Sequence, residues 1–192
     1  MKYPYLNIFL VVILVFVFSR VDYSNVFSST TPIQITVPTT IPTPTQTLPV
    51  RLIIPKLVIN SQIEPVSVAT NNIVEVPNDW SKTGWYSKTA KPGEVGTAVI
   101  VGHYDNQSGA PAIFYYLNQL EKEDKIIVLT DDSRELNYTV KEKTTLPFWS
   151  SIDDLMVNNK NKNLILITCA GWWNQALRSY SERLVIRAIS EK

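Results

Sequence analysis

Hydrophobic and polar positions change character twice along this chain. From Tyr3 to Ser19 the sequence reads YPYLNIFLVVILVFVFS, apolar on all sides and flanked by Lys2 and Arg20. The unbroken apolar part, Ile8 to Phe18, is short against the roughly 20 residues that span a bilayer, and Tyr3 and Tyr5 extend it with side chains suited to the interface. A cleavable signal peptide would want small residues next; SRVDYSNVFSS follows instead, which favours an uncleaved anchor over residues 1–20. The basic residues at its two ends barely decide its orientation. Five prolines and eight threonines then fall between Ser28 and Pro49. Such a composition disfavours packed elements and suits an extended spacer, so residues 21–49 read as a Thr/Pro-rich extracellular linker.

From residue 50 to residue 192 the pattern becomes short β-branched runs broken by turn residues. The runs predict strands at Arg51–Ile54, Leu57–Val66, Ile73–Val76, Thr97–Val101, Lys125–Thr130, Leu136–Lys141, Leu164–Thr168 and Arg183–Ile189. Asn71-Asn72, Pro92-Gly93 and Asp131-Asp132-Ser133 supply turns between them. Pro111–Leu120 departs from this: Ile113, Phe114, Leu117 and Leu120 are spaced for one helical face. Many strands with one or two short helices predict a mostly β domain closed, or nearly closed, into a barrel. Leu164–Ile167 is apolar at every position, the mark of a strand buried on both faces, and it places Cys169 at the exit into a loop.

Composition narrows the chemistry. A net charge of +1, with Lys and Arg scattered among Asp and Glu, gives no electrostatic case for nucleic acid. One cysteine and one histidine exclude an internal disulfide and an ordinary structural zinc site. An unpaired cysteine outside the cell is a liability unless it is buried or functional. A cysteine nucleophile needs a base or cation nearby and a donor for the oxyanion. His103 ends one apolar run, and Arg183 begins the last; Arg178 and Arg187 compete with it. Taken singly, a cysteine at the end of a core strand is more often a small buried hydrophobe, and spacing alone does not bring these residues together.

Ile165-Leu166-Ile167-Thr168-Cys169, with Arg183 fourteen residues on, resembles the TLxTC signature and following arginine of the sortase family. Gly84-Trp85-Tyr86 and the stretch from Lys91-Pro92-Gly93-Glu94 to Gly102-His103 resemble the family's PGE-x-G-x-AV-x-x-GH block, and Asn60–Val66 its early strand region. The similarity runs from about Leu52 to Ile189, and the wording at Gly102–Asp105 and Pro111–Phe114 leans toward class F-like members. One departure is Ile165, where the signature has threonine; its side chain is expected inside the barrel.

The resemblance implies an eight-stranded sortase barrel and a cysteine transpeptidase. Cys169 would be the nucleophile, His103 the acid/base and Arg183 the oxyanion partner, with Ile167, Thr168 and Trp172 contacting substrate. It implies no metal and no organic cofactor. Its partners would be secreted proteins with a C-terminal LPxTG-like sorting motif, and an amine acceptor such as a peptidoglycan precursor or a pilin lysine. Trp172-Trp173 and Phe148-Trp149 fall where the family reads substrate, or simply pack loops onto the barrel. Other cysteine enzymes of the cell wall fit less well: the S-H-G-C motif of L,D-transpeptidases is missing, and papain-like enzymes place Cys before His. A membrane-tethered binding module without activity, or a degenerate sortase, is the competing reading. Asp131, Asp132, Asp153 and Asp154 could hold calcium, but read more simply as solvated loop charge.

Overall fold

The structure, a computed structural model of the 192-residue chain, describes residues 47–67, 75–156 and 160–191. Within these residues eight strands form: β1 Pro49–Ile54, β2 Ile59–Val66, β3 Thr83–Tyr86, β4 Gly96–Gly102, β5 Lys125–Thr130, β6 Glu135–Pro147, β7 Lys162–Asn174 and β8 Ser179–Ser190. They close into a barrel in the order β1-β2-β3-β4-β7-β8-β6-β5, with β5 returning to β1. Closure removes every free sheet edge. Among the described residues no helix is long and apolar enough to cross a membrane; the anchor expected at 1–20 lies outside them, as does nearly all of the spacer.

The barrel separates two apolar clusters by strand parity, since successive side chains in a strand point to opposite faces. Leu52, Ile54, Ala98, Ile100, Ile126, Val128, Tyr138, Val140, Leu164, Leu166, Leu184 and Ile186 fill the interior. Val99, Val101, Ile165, Ile167 and Val185 point the other way, where Leu155 and, half-buried, Leu146, Ile152 and Met156 cover them. β4 and β7 are thus buried on both faces, which is why their sequences carry unbroken apolar runs. Ile165 belongs to the outer cluster, on the face Cys169 shares, rather than inside the barrel. Threonine-to-isoleucine at this position therefore bears on the covered outer wall.

Several expectations are corrected. β3 is four residues long and contains Gly84; it is held by β2 on one side and β4 on the other, and no local pattern announces it. Of the expected strand Ile73–Val76, Ile73 lies outside the described residues and Val76 is irregular. The 111–120 segment is not an α-helix. Its backbone bonds run three residues back (Tyr115 to Ala112, Leu117 to Phe114, Leu120 to Leu117), ending in a single 3-10 turn at Leu117–Gln119. Phe114, Leu117 and Leu120 are all fully buried and recur every third residue, the period of a 3-10 helix, so one stripe faces the barrel interior. β1 begins at Pro49, one residue inside the expected spacer, and its entry is tied down where Leu48 N–H donates to Asp131 and Thr47 Oγ1 to Asp132.

Candidate active site

β4 and β7 are parallel, so their C-terminal ends emerge at the same mouth of the barrel. β8 runs antiparallel to β7, and its beginning lies at that mouth too. Register then fixes the row. Cys169 is directly opposite Arg183. On its other side β7 pairs with β4 with Val101 opposite Ile167, so His103, two residues past Val101, continues the row beside Cys169. Adjacent strands are about 4.8 Å apart, so the cysteine has the histidine one strand away on one flank and the arginine one strand away on the other. Cys169 and Arg183 share the parity of the outer cluster, which puts the site on the outer face of the barrel wall. The strand does not end at the cysteine: β7 continues to Asn174 through a bulge between Ala170 and Trp173, leaving Cys169 half-buried in a wall rather than at a loop entrance.

Two local devices hold His103. Thr168, 3 % exposed, donates its hydroxyl to the Gly102 carbonyl at 2.8 Å, tying the residue before the cysteine to the residue before the histidine. Gly102 is glycine because a Cβ there would sit 2.5 Å from the Phe114 ring, whose own N–H donates to the His103 carbonyl at 2.9 Å. The imidazole tilts against Trp80, ring centroids 4.1 Å apart, and its Nε2 is 2.7 Å from the Pro77 carbonyl. A carbonyl only accepts, so Nε2 carries a hydrogen and Nδ1 is the nitrogen left for proton exchange. Among the described residues no hydrogen bond joins Cys169 to His103.

Burial pushes the Cys169 thiol above its ordinary range; Arg183 pulls it down, and Asp105 pushes it further up. Arg183 is held along its own strand: Nη1 donates to the carbonyls of Glu182 (2.9 Å) and Tyr180 (3.3 Å), Nη2 to Ser179 Oγ (3.2 Å). Among the described residues its Nε–H and second Nη2–H have no acceptor. The rival arginines have other roles or places. Arg187 lies opposite Ile165, donates to the Leu155 carbonyl at 2.9 Å and pairs with Glu142, pinning the covering segment. Arg178 sits in the β7–β8 turn with φ of 48°. Of the expected substrate contacts, Ile167 is in the outer cluster, Thr168 is committed to Gly102, and Trp172 is 64 % exposed at the rim with its N–H on Ser181 Oγ.

The Sortase domain family matches residues 52–191, nearly all of the barrel and every residue of this row. The chain belongs to the sortase family. Sortases are cysteine transpeptidases. Solved sortases share the chain's fold. Sortase A from Corynebacterium diphtheriae (a lid mutant) superposes with a TM-score of 0.58 at 20 % identity, over 76 % of this chain and 70 % of that one. Sortase C-1 from Actinomyces oris gives 0.57 at 23 % identity, over 75 % of each chain. The Pilus Island 1 sortase C2 of group B Streptococcus gives 0.58 at 16 %, over 74 % and 73 %. No curated protein sequence matches the chain.

Sequence reasoning gave no role to four residues around the row. Tyr180 donates its hydroxyl to Asp105, and Tyr104 stacks on Tyr115 at 4.6 Å while meeting Tyr180 edge-on at 5.4 Å. Their only signal was Asp105 following the histidine by two positions; nothing in the pattern pairs it with a tyrosine 75 residues away. Three of the four candidate calcium carboxylates have protein partners: Asp131 accepts from the Leu48 N–H, Asp132 from Thr130, Thr47 and Arg134, and Asp154 from the Ser151 N–H.

Proposed function

We propose that this sortase cleaves an LPxTG-like sorting motif of secreted proteins and transfers the acyl part to an amine. The observation that carries the residue roles is the register of the row, with Cys169 opposite Arg183 and the His103 strand on its other flank. In this reading Cys169 Sγ, as thiolate, attacks the carbonyl carbon of the scissile peptide bond. Arg183 donates to the oxyanion that forms. Collapse breaks the C–N bond, and His103 gives its proton to the departing amine. The product is a thioester on Cys169. An incoming amine attacks that carbonyl and gives up a proton to His103, and the thiolate leaves as the new peptide bond forms. No metal or organic cofactor takes part in these steps. Trp172, exposed at the rim, contacts the substrate peptide, and Ile167 forms the apolar floor.

The acceptor is a peptidoglycan precursor or a pilin lysine; the likeness to a sortase named for a pilus island supports the second. Residues 1–20 hold the enzyme in the cell membrane as a single pass, residues 21–49 act as spacer, and residues 50–192 work outside. The apolar run, its poor cleavage site and the Thr/Pro bias support this arrangement. The test is to incubate the full chain, in detergent, with LPxTG-like peptides and an amine acceptor. Intact mass should show an acyl adduct and a transfer product, both missing for Cys169→Ala. A folded enzyme with a reactive Cys169 and no adduct across a broad panel would overturn the substrate class. An unreactive Cys169 would overturn its role.

A further inference from the structure

Resting on the role of Arg183 above, we infer that Tyr180 is a positioning residue that keeps an anion and a cation of the active site from pairing with each other. Tyr180 lies at the start of β8, three residues before Arg183, and it holds both charges at once. Its hydroxyl donates to Asp105 Oδ2, and its backbone carbonyl accepts from Arg183 Nη1 at 3.3 Å. Arg183 is directly opposite Cys169 on β8, and Asp105 follows His103 by two residues on the other flank, so guanidinium and carboxylate come from the two segments that border the same cysteine. Among the described residues no ion pair joins Asp105 to Arg183. Two opposite charges around one half-buried sulfur would be expected to close on each other. Such closure would take the guanidinium donors away from the oxyanion. The hydroxyl of Tyr180 occupies the carboxylate instead.

The ring is fixed for this task. Tyr104 meets it edge-on at 5.4 Å from the loop after β4, and Trp173 meets it at 5.3 Å from β7. Burial and the neighbouring carboxylate raise the phenol well beyond its ordinary range, so it remains a donor at any working pH. The bond also links the chain just past His103 to the strand carrying Arg183. One side chain therefore ties the acid/base side of the site to the oxyanion side.

The variants are Tyr180→Phe, Asp105→Asn and the double variant, made in the full chain in detergent. Asparagine keeps an oxygen that can accept from Tyr180 but has no charge to offer Arg183. Tyr180→Phe should lower kcat about tenfold or more, the scale of a lost charge-assisted hydrogen bond, with KM changed less. Asp105→Asn added to Tyr180→Phe should restore most of the kcat that Tyr180→Phe alone loses. The second readout is the pH dependence of Cys169 alkylation, which needs no substrate. The groups facing the thiol are Arg183 and Tyr180 from β8, and His103 and Asp105 from the segment after β4. Tyr180→Phe should move the profile to higher pH, since Arg183 is drawn off and Asp105 is unmasked; the double variant should move it back. A Tyr180→Phe enzyme with unchanged kcat and unchanged alkylation overturns the inference. So does a folded double variant as impaired as the single one, because loss of a substrate contact or a mechanical tie would not be rescued by removing a charge. If wild type transfers no acyl group, the substrate reading fails, and the alkylation profiles alone decide this one.

Discussion

Thr168→Val isolates the tie between the Cys169 strand and the His103 strand. The hydroxyl is buried and makes a single 2.8 Å bond to the Gly102 carbonyl. Valine preserves branching and strand preference but cannot donate, so the carbonyl is left against a methyl group in a water-poor site. A lost hydrogen bond that strands a buried partner costs about 1–3 kcal/mol. At about 2–4 °C per kcal/mol for a domain of this size, the melting temperature should fall by roughly 2–12 °C. A methyl cannot approach an oxygen to 2.8 Å, so Gly102 must also shift. His103 is the next residue and the acid/base group of the proposed mechanism, so its displacement by a fraction of an ångström should lower kcat well beyond what the stability loss explains. Thr168→Ser keeps the donor and gives up one methyl, about 0.8 kcal/mol, and should retain most of kcat. Calorimetry with single-turnover acylation checks both parts. A Thr168→Val enzyme melting within about 1 °C of wild type with unaltered kcat would refute the reasoning, as would Thr168→Ser and Thr168→Val losing activity equally.

Gly102→Ala drives a Cβ to 2.5 Å from the Phe114 ring and should destabilise by about 1–3 kcal/mol, with Phe114→Leu recovering part of it in a denaturant titration. Tyr138→Phe removes the acceptor of the Gly93 N–H, a 2.7 Å bond, and should cost about 1 kcal/mol by thermal melting. Absorbance titration should find the Tyr138 phenol ionising only near its raised pKa of about 12, where burial is the main cause. Because burial raises the Cys169 thiol, its thiolate fraction at neutral pH is below that of a free cysteine. Its alkylation rate should still be climbing where a free thiol has levelled off, and Arg183→Ala should move the rise to higher pH. The same sign applies to stability: the proton held more tightly in the fold favours folding below the unfolded thiol value, and that benefit is lost as pH rises through the folded value.

The division of labour between motif and scaffold is visible in the glycines. Gly93 of the Pro92-Gly93-Glu94 stretch adopts φ of 89°, donates to Tyr138 and has Leu136 packed where a Cβ would stand. That part of the family pattern maintains a turn against the barrel rather than chemistry. Gly102 sits beside the chemistry, and its smallness serves the ring beneath the histidine.

By itself the sequence determined the strands whose two-sided burial forces apolar runs, β4 and β7 above all, and it singled out Cys169 and His103 because the chain offers one of each. Among three candidate arginines it singled out Arg183 through the family resemblance, with no geometry behind the choice. That choice is a matter of register, since Arg183, Arg187 and Cys169 share a face, and only the pairing of β7 with β8 says which arginine is opposite the sulfur. The 114–120 stripe was legible as apolar, but three-residue and 3.6-residue periods are hard to separate over ten positions. β3 was hidden because its stability comes from neighbours distant in sequence. Tyr180 and Asp105 were hidden for the same reason: a hydrogen bond across 75 residues leaves no local trace, and only closure of the barrel brings its two ends together.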